Sequence, residues 1–250
     1  MNYFDSAWAA KRYSLARPYF HPMVIDMVRK QLGLTKVATA LDVACGTGQS
    51  TLALLAVADT VTGTDLSHEM LDAAATNAAV TFLLAPAEQQ PFPDSSFNLI
   101  TVCMAYHWFN QPAFLAEAKR LLTTDGALVI YNSYFPGIMA NNESFMHEMR
   151  HYYSGFPSPK RKAQQPDQDA AAIAGFTGRK LEFEFWEEWA LPQLIGYLTT
   201  QSNVIDRVDS FGESIDRIEV DIAQQFRGYF SEPTEHFLFK GDVSILKIER

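Results

Sequence analysis

The chain has 250 residues, of which 48% are hydrophobic and 13% aromatic, and its 20 basic and 29 acidic side chains give a net charge of −9. This apolar content is ample for a core and excludes disorder as the dominant state. The acidic balance disfavours a large phosphate-binding face, so we expect no nucleic-acid partner. The two cysteines, Cys45 and Cys103, provide no disulfide framework and are interpreted as buried free thiols.

The chain contains no apolar stretch of the roughly 20 residues that a membrane helix needs. Its first residues lack the apolar segment and cleavage pattern of a signal peptide. We therefore expect a cytoplasmic protein with no membrane partner. No oligomeric state is predicted.

Helices and strands alternate over the first 135 residues. The predicted strands are 38–45, 61–66, 80–85, 98–104 and 126–133. A helix over 21–33 is predicted to end at Gly33, and Ser67 can cap the helix that follows the second strand. This alternation is typical of a parallel sheet with helices on both faces, which binds its ligand at the carboxyl ends of the strands.

The pattern changes after residue 135. We predict helices over 141–156, 192–208 and 213–230, a polar loop over 158–169, and strands over 179–191 and 237–250. Residues 136–234 are interpreted as partly sheet edge and partly a helical cap, and the end of the chain rejoins the sheet.

The segment DVACGTGQS, residues 42–50, follows the first strand and is typical of a loop that wraps a nucleotide-like ligand. A dinucleotide fingerprint needs a third glycine where this chain has Thr51, and a phosphate loop needs a Lys-Ser/Thr pair that is absent. Asp42, inside the strand, would repel a pyrophosphate but suits a ligand with an ammonium group and a positively charged sulfur. Asp65, at the end of the second strand, can accept both ribose hydroxyls of an adenosine, or it is only a turn residue before Ser67.

Several segments resemble the class I S-adenosylmethionine-dependent methyltransferases. These segments are LDVACGTGQST, GTDLSHEML, APAEQQPFPDSSFNLITV and AYHWF. The chain is similar, more narrowly, to the branch that contains trans-aconitate methyltransferase, through YSLARPYF, HWF and LIGYLTTQSNV. It departs from the family at Ala44, where glycine is usual, and at Gln201, where tryptophan is frequent before the serine.

The resemblance implies a cofactor, S-adenosylmethionine, and a set of residues around it. The implied cofactor-binding residues are Tyr13, Arg17, Asp42, Ala44, Gly46, Thr47, Gly48, Asp65, Leu66, Met70, Ala87, Glu88 and Met104, with the backbone at Ala105. Asp65 would hold the ribose, while Ala87 and Glu88 would flank the adenine. Tyr13 and Arg17 would fold over the cofactor from the N-terminal helix, or they form a surface pair on that helix.

The resemblance also implies the architecture. We expect an α/β protein with a doubly wound, Rossmann-like, mostly parallel seven-stranded sheet, an antiparallel last strand and a helical cap. Residues 1–35 would cover the cofactor, residues 36–135 with 235–250 would form the cofactor-binding core, and residues 136–234 would form the substrate site.

The resemblance implies methyl transfer to a small-molecule substrate, with an oxygen nucleophile such as a carboxylate favoured as the acceptor. A carboxylate is already ionised near neutral pH and needs no base. His107 is the candidate general base for other acceptors, with packing between its neighbours as the alternative. Tyr106 and Trp108 are candidate substrate walls or core residues. The cations that could meet an acidic substrate are Arg17, Arg150 and the basic residues at 160–162.

Other classes stay open at this stage. HEMRH, residues 147–151, matches a zinc-protease motif but is favoured as an amphipathic helix that buries Phe145, Met149 and Tyr152, so no metal is expected. The remaining alternatives are a protein that binds S-adenosylmethionine without catalysis, a methyltransferase acting on RNA, DNA or protein, and an NAD-dependent oxidoreductase.

Overall fold

The computed structural model describes residues 7–74, 77–156, 172 and 174–249. In this part of the chain seven strands form one sheet in the order β3-β2-β1-β4-β5-β7-β6. The strands are β1 Val37–Val43, β2 Ala58–Asp65, β3 Val80–Leu84, β4 Phe97–Cys103, β5 Leu122–Met139, β6 Phe176–Trp189 and β7 Glu235–Ile248. The first five pair in parallel and the last are antiparallel, which confirms the predicted α/β, doubly wound sheet.

The helices begin and end largely where the sequence signals place them. They are α1 Ala7–Ala16, α2 His21–Leu32, α3 Gln49–Ala53, α4 His68–Asp72, α5 Gln111–Leu121, α6 Glu143–Ser154, α7 Leu191–Thr199, α8 Ser202–Phe211 and α9 Ile215–Phe226. Gly33 ends α2 in the left-handed conformation, with φ 64°. Ser67 caps α4 because its side chain accepts the backbone N–H of Met70. Both predicted boundaries are confirmed.

The predicted helix over 192–208 is wrong, because the chain forms two helices there, α7 and α8. The hydroxyls of Thr199 and Thr200 donate to the carbonyls of Gly196 and Tyr197 at 2.9 and 2.6 Å. Such side-chain bonds compete with the helical backbone. Gln201 then adopts an extended conformation, with ψ 139°, which ends the first helix and starts the second.

Other elements differ in length from their predictions. The helix after Ser67, which its apolar pattern predicts over 68–78, ends at Asp72. The fifth strand is much longer than the predicted 126–133. The predicted polar loop over 158–169 lies outside the described residues.

The chain divides into two compact units. One comprises Met1–Pro18, Ser133–Lys160 and Phe183–Gly241, and the other Tyr19–Asn132, Arg161–Glu182 and Asp242–Arg250. We call them the aromatic unit and the nucleotide unit. The first has a core rich in phenylalanine, where Phe135 stacks on Phe239 with ring centroids 5.2 Å apart. The core of the second is formed by the apolar strands β1, β4 and β5 with α5.

None of the helices in the described ranges is both long and apolar enough to cross a bilayer.

Candidate functional site

The loop between β1 and α3 has an alternating backbone. Ala44, Gly46 and Gly48 all have positive φ angles, of 55°, 54° and 78°. Alternation between ordinary and left-handed residues curls a chain so that successive N–H groups line a concave surface. The loop therefore has the conformation that lets a ligand approach the backbone closely.

The two glycines of this loop have different surroundings. A Cβ at Gly48 would lie 2.7 Å from Cζ of Phe82, so this glycine is required by packing against β3. A Cβ at Gly46 would meet only the sulfur of Met70, at 3.9 Å. Gly46 thus keeps an open side among the described residues, which fits a ligand-facing position.

Asp42 is completely buried and supports the loop through hydrogen bonds. Its Oδ2 accepts hydrogen bonds from Ser50 and Thr51 at 2.6 and 2.7 Å, and its Oδ1 accepts one from Thr101 at 2.7 Å. Burial raises the pKa of Asp42, and the three hydroxyl hydrogen bonds oppose that rise. This carboxylate ties β1 to β4 and to the first turn of α3. Its predicted contact with the methionine part of the cofactor stays a prediction.

Thr51 explains why the third glycine of a dinucleotide fingerprint is absent. It occupies that position, is fully buried, and uses its hydroxyl to bind Asp42. The position is therefore part of the internal support of the loop.

Asp65 connects the loop to the next strand-to-helix turn. Its Oδ2 accepts the N–H of Gly46 at 2.8 Å, and its Oδ1 accepts the N–H of Ser67 at 2.9 Å. Asp65 is half-buried. Its position fits the predicted role with the ribose.

The other predicted cofactor residues of the nucleotide unit lie after the carboxyl ends of three strands. Leu66 follows β2 and is 61% exposed, whereas Met70 in α4 is buried. After β3, Ala87 is buried and Glu88 accepts the N–H of Asn110 at 2.7 Å. Met104 follows β4 with φ 55°. These residues and the loop therefore share one edge of the sheet.

Tyr106, His107 and Trp108 form a 3-10 turn after β4. Tyr106 is 1% exposed and packs against Phe109 and Phe114, so it is a core residue. Its hydroxyl has no partner among the described residues, and burial raises its pKa to about 12. His107 and Trp108 are half-buried, with ring centroids 4.7 Å apart. Their catalytic and substrate roles stay predictions.

Tyr13 and Arg17 belong to the aromatic unit. The Arg17 guanidinium lies over the ring of Tyr13, 4.5 Å from its centroid, and over that of Tyr197, at 5.2 Å. Nη2 of Arg17 donates to the carbonyl of Thr200 at 2.7 Å. The pair is therefore built into a tyrosine cluster, and its predicted contact with the cofactor stays a prediction.

A buried polar group in the nucleotide unit was missed by the sequence analysis. His21, 6% exposed, has Nδ1 3.1 Å from the hydroxyl of Tyr131 and 3.8 Å from Sγ of Cys103. Burial lowers the pKa of His21 to about 4, against a hydrogen bond with Gln49 that raises it. The consecutive ring-bearing residues at 19–21 could have indicated a special position for His21, but no local sequence pattern indicates its contact with Tyr131.

Neither cysteine forms a disulfide in the described part of the chain, as predicted. Cys45 is buried, and burial raises the pKa of its thiol. Cys103 is only half-buried, so its predicted burial is wrong. It is the last residue of β4, where the chain leaves the apolar interior of the sheet.

The motif HEMRH lies on α6, whose interior side holds Phe145 and Met149, which confirms the amphipathic interpretation for these two. His147 and His151 are exposed, and Tyr152 is half-buried rather than buried. No group of three or more His, Cys, Asp or Glu side chains in the described residues is arranged to hold a metal ion.

Comparisons with known proteins agree with this geometry. Residues 41–130 match a model of the methyltransferase domain. A Dictyostelium discoideum protein named "Putative methyltransferase" is 32% identical over 165 residues, which cover 64% of this chain and 62% of that protein. A demethylmenaquinone methyltransferase of Staphylococcus aureus is 36% identical over 119 residues, which cover 44% and 48%.

A solved structure titled as a "Putative Type II Methyltransferase" from Anaeromyxobacter dehalogenans has a TM-score of 0.65 and 22% identity, covering 89% of this chain and 95% of that chain. This likeness shows the fold. The chain spans less than two thirds of the length of either sequence relative. The matched segment begins in β1 and ends in β5, and so contains the loop, Asp65 and the turn after β4.

Proposed function

We propose that this chain, whose residues 41–130 match a methyltransferase-domain model, transfers a methyl group from S-adenosylmethionine to a small molecule. The acceptor is an oxygen nucleophile such as a carboxylate. The observation that carries the proposal is the Asp65 carboxylate, which lies at the end of β2 and binds the N–H of Gly46 in the loop that follows β1.

The residues present fit the cofactor. S-adenosylmethionine, when bound, supplies an electrophilic methyl group on a positively charged sulfur. Gly46 offers an open backbone position, Asp65 would accept the ribose hydroxyls, and Leu66 with Met70 would contact the adenosine. The protein's contribution is to orient the acceptor and to exclude water.

A carboxylate acceptor agrees with the side chains around the turn after β4. Such an acceptor is ionised near neutral pH and requires no base. Tyr106 cannot serve as a base near neutral pH, because burial raises its pKa to about 12. His107 would be the base for a phenol or an amine. The similarity to the trans-aconitate methyltransferase branch supports an acidic acceptor.

The experiment is a calorimetric titration of the purified chain with S-adenosylmethionine and S-adenosylhomocysteine, with NADH as the control. Micromolar binding of the first two, without NADH binding, supports the proposal. Transfer of a radiolabelled methyl group to a panel of carboxylic acids, phenols and amines then identifies the acceptor class. Binding of NADH alone would instead support an oxidoreductase, and cofactor binding without transfer to any panel would support a binding protein.

A further inference from the structure

Helix α3 follows the cofactor loop, residues 44–48, and is too short to be stable by itself. It consists of five residues, Gln49–Ala53, and its N-cap Gly48 has no side chain that could accept a backbone N–H. A helix of this length gains little from its own backbone hydrogen bonds. Asp65 holds the loop at Gly46, so the end of the loop at Gly48 depends on what holds α3.

The first two side chains of α3 connect it to distant parts of the nucleotide unit. Gln49 hydrogen-bonds with His21, the first residue of α2. Ser50 donates to Oδ2 of Asp42 at 2.6 Å and also hydrogen-bonds with the hydroxyl of Tyr131. Nδ1 of His21 lies 3.1 Å from that same hydroxyl. The buried side chains of His21, Tyr131, Ser50 and Asp42 therefore form one continuous series, the buried polar chain.

The positions of the protons give this chain a direction. Three hydroxyls donate to Asp42, which stabilises its ionised form, and 2.6 Å is the length of a hydroxyl bond to an ionised carboxylate. The single proton of Ser50 thus lies towards Asp42, and Ser50 can only accept from Tyr131. The phenol of Tyr131 keeps its proton, because burial raises its pKa well above the ordinary value. Its oxygen is therefore the acceptor in the contact with His21.

His21 then has to donate from Nδ1. Burial lowers the pKa of His21 to about 4, so the ring is neutral near neutral pH and one of its two nitrogens carries a proton. The sulfur of Cys103 lies farther from Nδ1, at 3.8 Å, and is a weak acceptor. The proton order predicts a neutral His21 with its proton on Nδ1.

We propose that His21 is a positioning residue for cofactor binding: its Nδ1–H group holds Tyr131, and Tyr131 holds Ser50 at the start of α3. This inference rests on the proposed function. In this role His21 does not touch the cofactor, and it fixes the end of the cofactor loop through the buried polar chain. Its own ring is held by Phe20, which stacks on it with ring centroids 4.7 Å apart.

The effect of His21 should reach the affinity for the cofactor. Hydrogen bonds in a buried series polarise one another, so loss of the His21 donor also weakens the bond between Tyr131 and Ser50. Helix α3 is then held less firmly, and the end of the loop has to be ordered when the cofactor binds. Ordering a loop on binding costs affinity. Every member of the chain belongs to the nucleotide unit, as does the loop.

The first measurement is the protonation site of His21, by 15N NMR of the full chain labelled in its six histidines at pH 7. The signals that disappear in His21→Asn assign the residue. We expect a protonated Nδ1 and an unprotonated Nε2.

The second measurement is calorimetric titration with S-adenosylhomocysteine. The variants are His21→Leu, which removes the donor, Tyr131→Phe, which removes one oxygen, and His21→Asn, whose amide N–H replaces Nδ1–H. The matched control is Val28→Ala, a cavity at a buried position about two turns further along α2. Circular dichroism and urea denaturation follow the fold and stability of each variant.

His21→Leu and Tyr131→Phe should each weaken binding of S-adenosylhomocysteine about 3- to 10-fold, the range for one hydrogen bond. His21→Asn should restore most of that affinity. Val28→Ala should be less resistant to urea and yet bind S-adenosylhomocysteine as the wild type does. If His21→Leu does not fold, Tyr131→Phe and the NMR measurement still decide.

Two results would overturn the inference. One is a proton on Nε2 of His21 in the wild type, which would reverse the order of the chain. The other is an unchanged affinity in Tyr131→Phe, or a loss in Val28→Ala equal to that in the chain variants, which would leave His21 as a packing residue. Failure of the wild type to bind S-adenosylhomocysteine would instead contradict the proposed function, and the NMR result would still test the proton order.

Discussion

The carboxylate of Asp65 binds the backbone N–H of Gly46 at 2.8 Å, so a residue at the end of β2 fixes the turn that follows β1. The same carboxylate binds the N–H of Ser67. One side chain therefore sets the relative positions of two turns that belong to neighbouring strands. A ligand that spans both turns would meet a preformed surface.

Asp65→Asn should weaken S-adenosylmethionine binding about 10- to 100-fold. The amide removes the negative charge that strengthens the hydrogen bonds accepted by this side chain from the two turns and from the ribose hydroxyls. The matched control is Asp59→Asn on the same strand, whose carboxylate pairs with Lys36 at the surface. Calorimetry should find the control unchanged. Equal losses of affinity in the two variants would show that Asp65 has no particular role in binding S-adenosylmethionine.

Gly48→Ala should lower the free energy of unfolding by about 2–4 kcal/mol, since the new methyl group would meet the Phe82 ring and φ is 78°. The control is Gly212→Ala at the end of α8, where φ is 69° and nothing lies within 4 Å. It should cost only about 1 kcal/mol. Urea denaturation measures both. Similar losses of unfolding free energy in the two variants would mean that backbone strain alone, without the contact with Phe82, accounts for the effect at Gly48.

Ala44→Gly should stabilise the protein by a few tenths to about 1 kcal/mol. Ala44 has φ 55°, and relief of its left-handed strain exceeds the added entropy of the unfolded chain. Ala38→Gly, in β1 with an ordinary φ, should instead destabilise by about 0.5–1 kcal/mol. Denaturant melts should therefore show changes of opposite sign in the free energy of unfolding. A change of the same sign in both variants would contradict the prediction.

His21 should make stability depend on pH between about 6.5 and 4. Its pKa is lowered to about 4 in the folded protein, so the folded state binds the proton less well than the unfolded state. The stabilisation is present above pH 6.5 and is lost as pH falls towards 4, by at most about 3 kcal/mol.

His21→Gln keeps a polar group next to Tyr131 and removes the titration. Unfolding free energies of both proteins from pH 4 to 8 should converge at the acidic end. A constant difference across this range would show that His21 does not titrate on unfolding.

The sequence predicted the nucleotide unit well because its signals are local. Each parallel strand is a short apolar run, and Gly33 and Ser67 mark helix ends by their own conformational preferences. Asp42 and Asp65 were selected as functional candidates, but the alternation that places them at strand ends does not show what they bind.

The features that were missed depend on contacts between distant residues. His21 and Tyr131 meet across 110 positions of sequence, and Arg17 reaches Thr200 across 183. The break between α7 and α8 arises from two threonine hydroxyls that the apolar periodicity does not register. A cluster assembled from α1 and the α7–α8 turn therefore has no local signature.

Thr51 also limits how this loop could be redesigned for a different cofactor. Replacing it with glycine to complete a dinucleotide fingerprint would remove one of three hydroxyls around a buried carboxylate, and so would weaken the support of the loop that it was meant to adapt. A change of cofactor would require Thr51 and Asp42 to be substituted together. The side chains at these two positions therefore depend on each other.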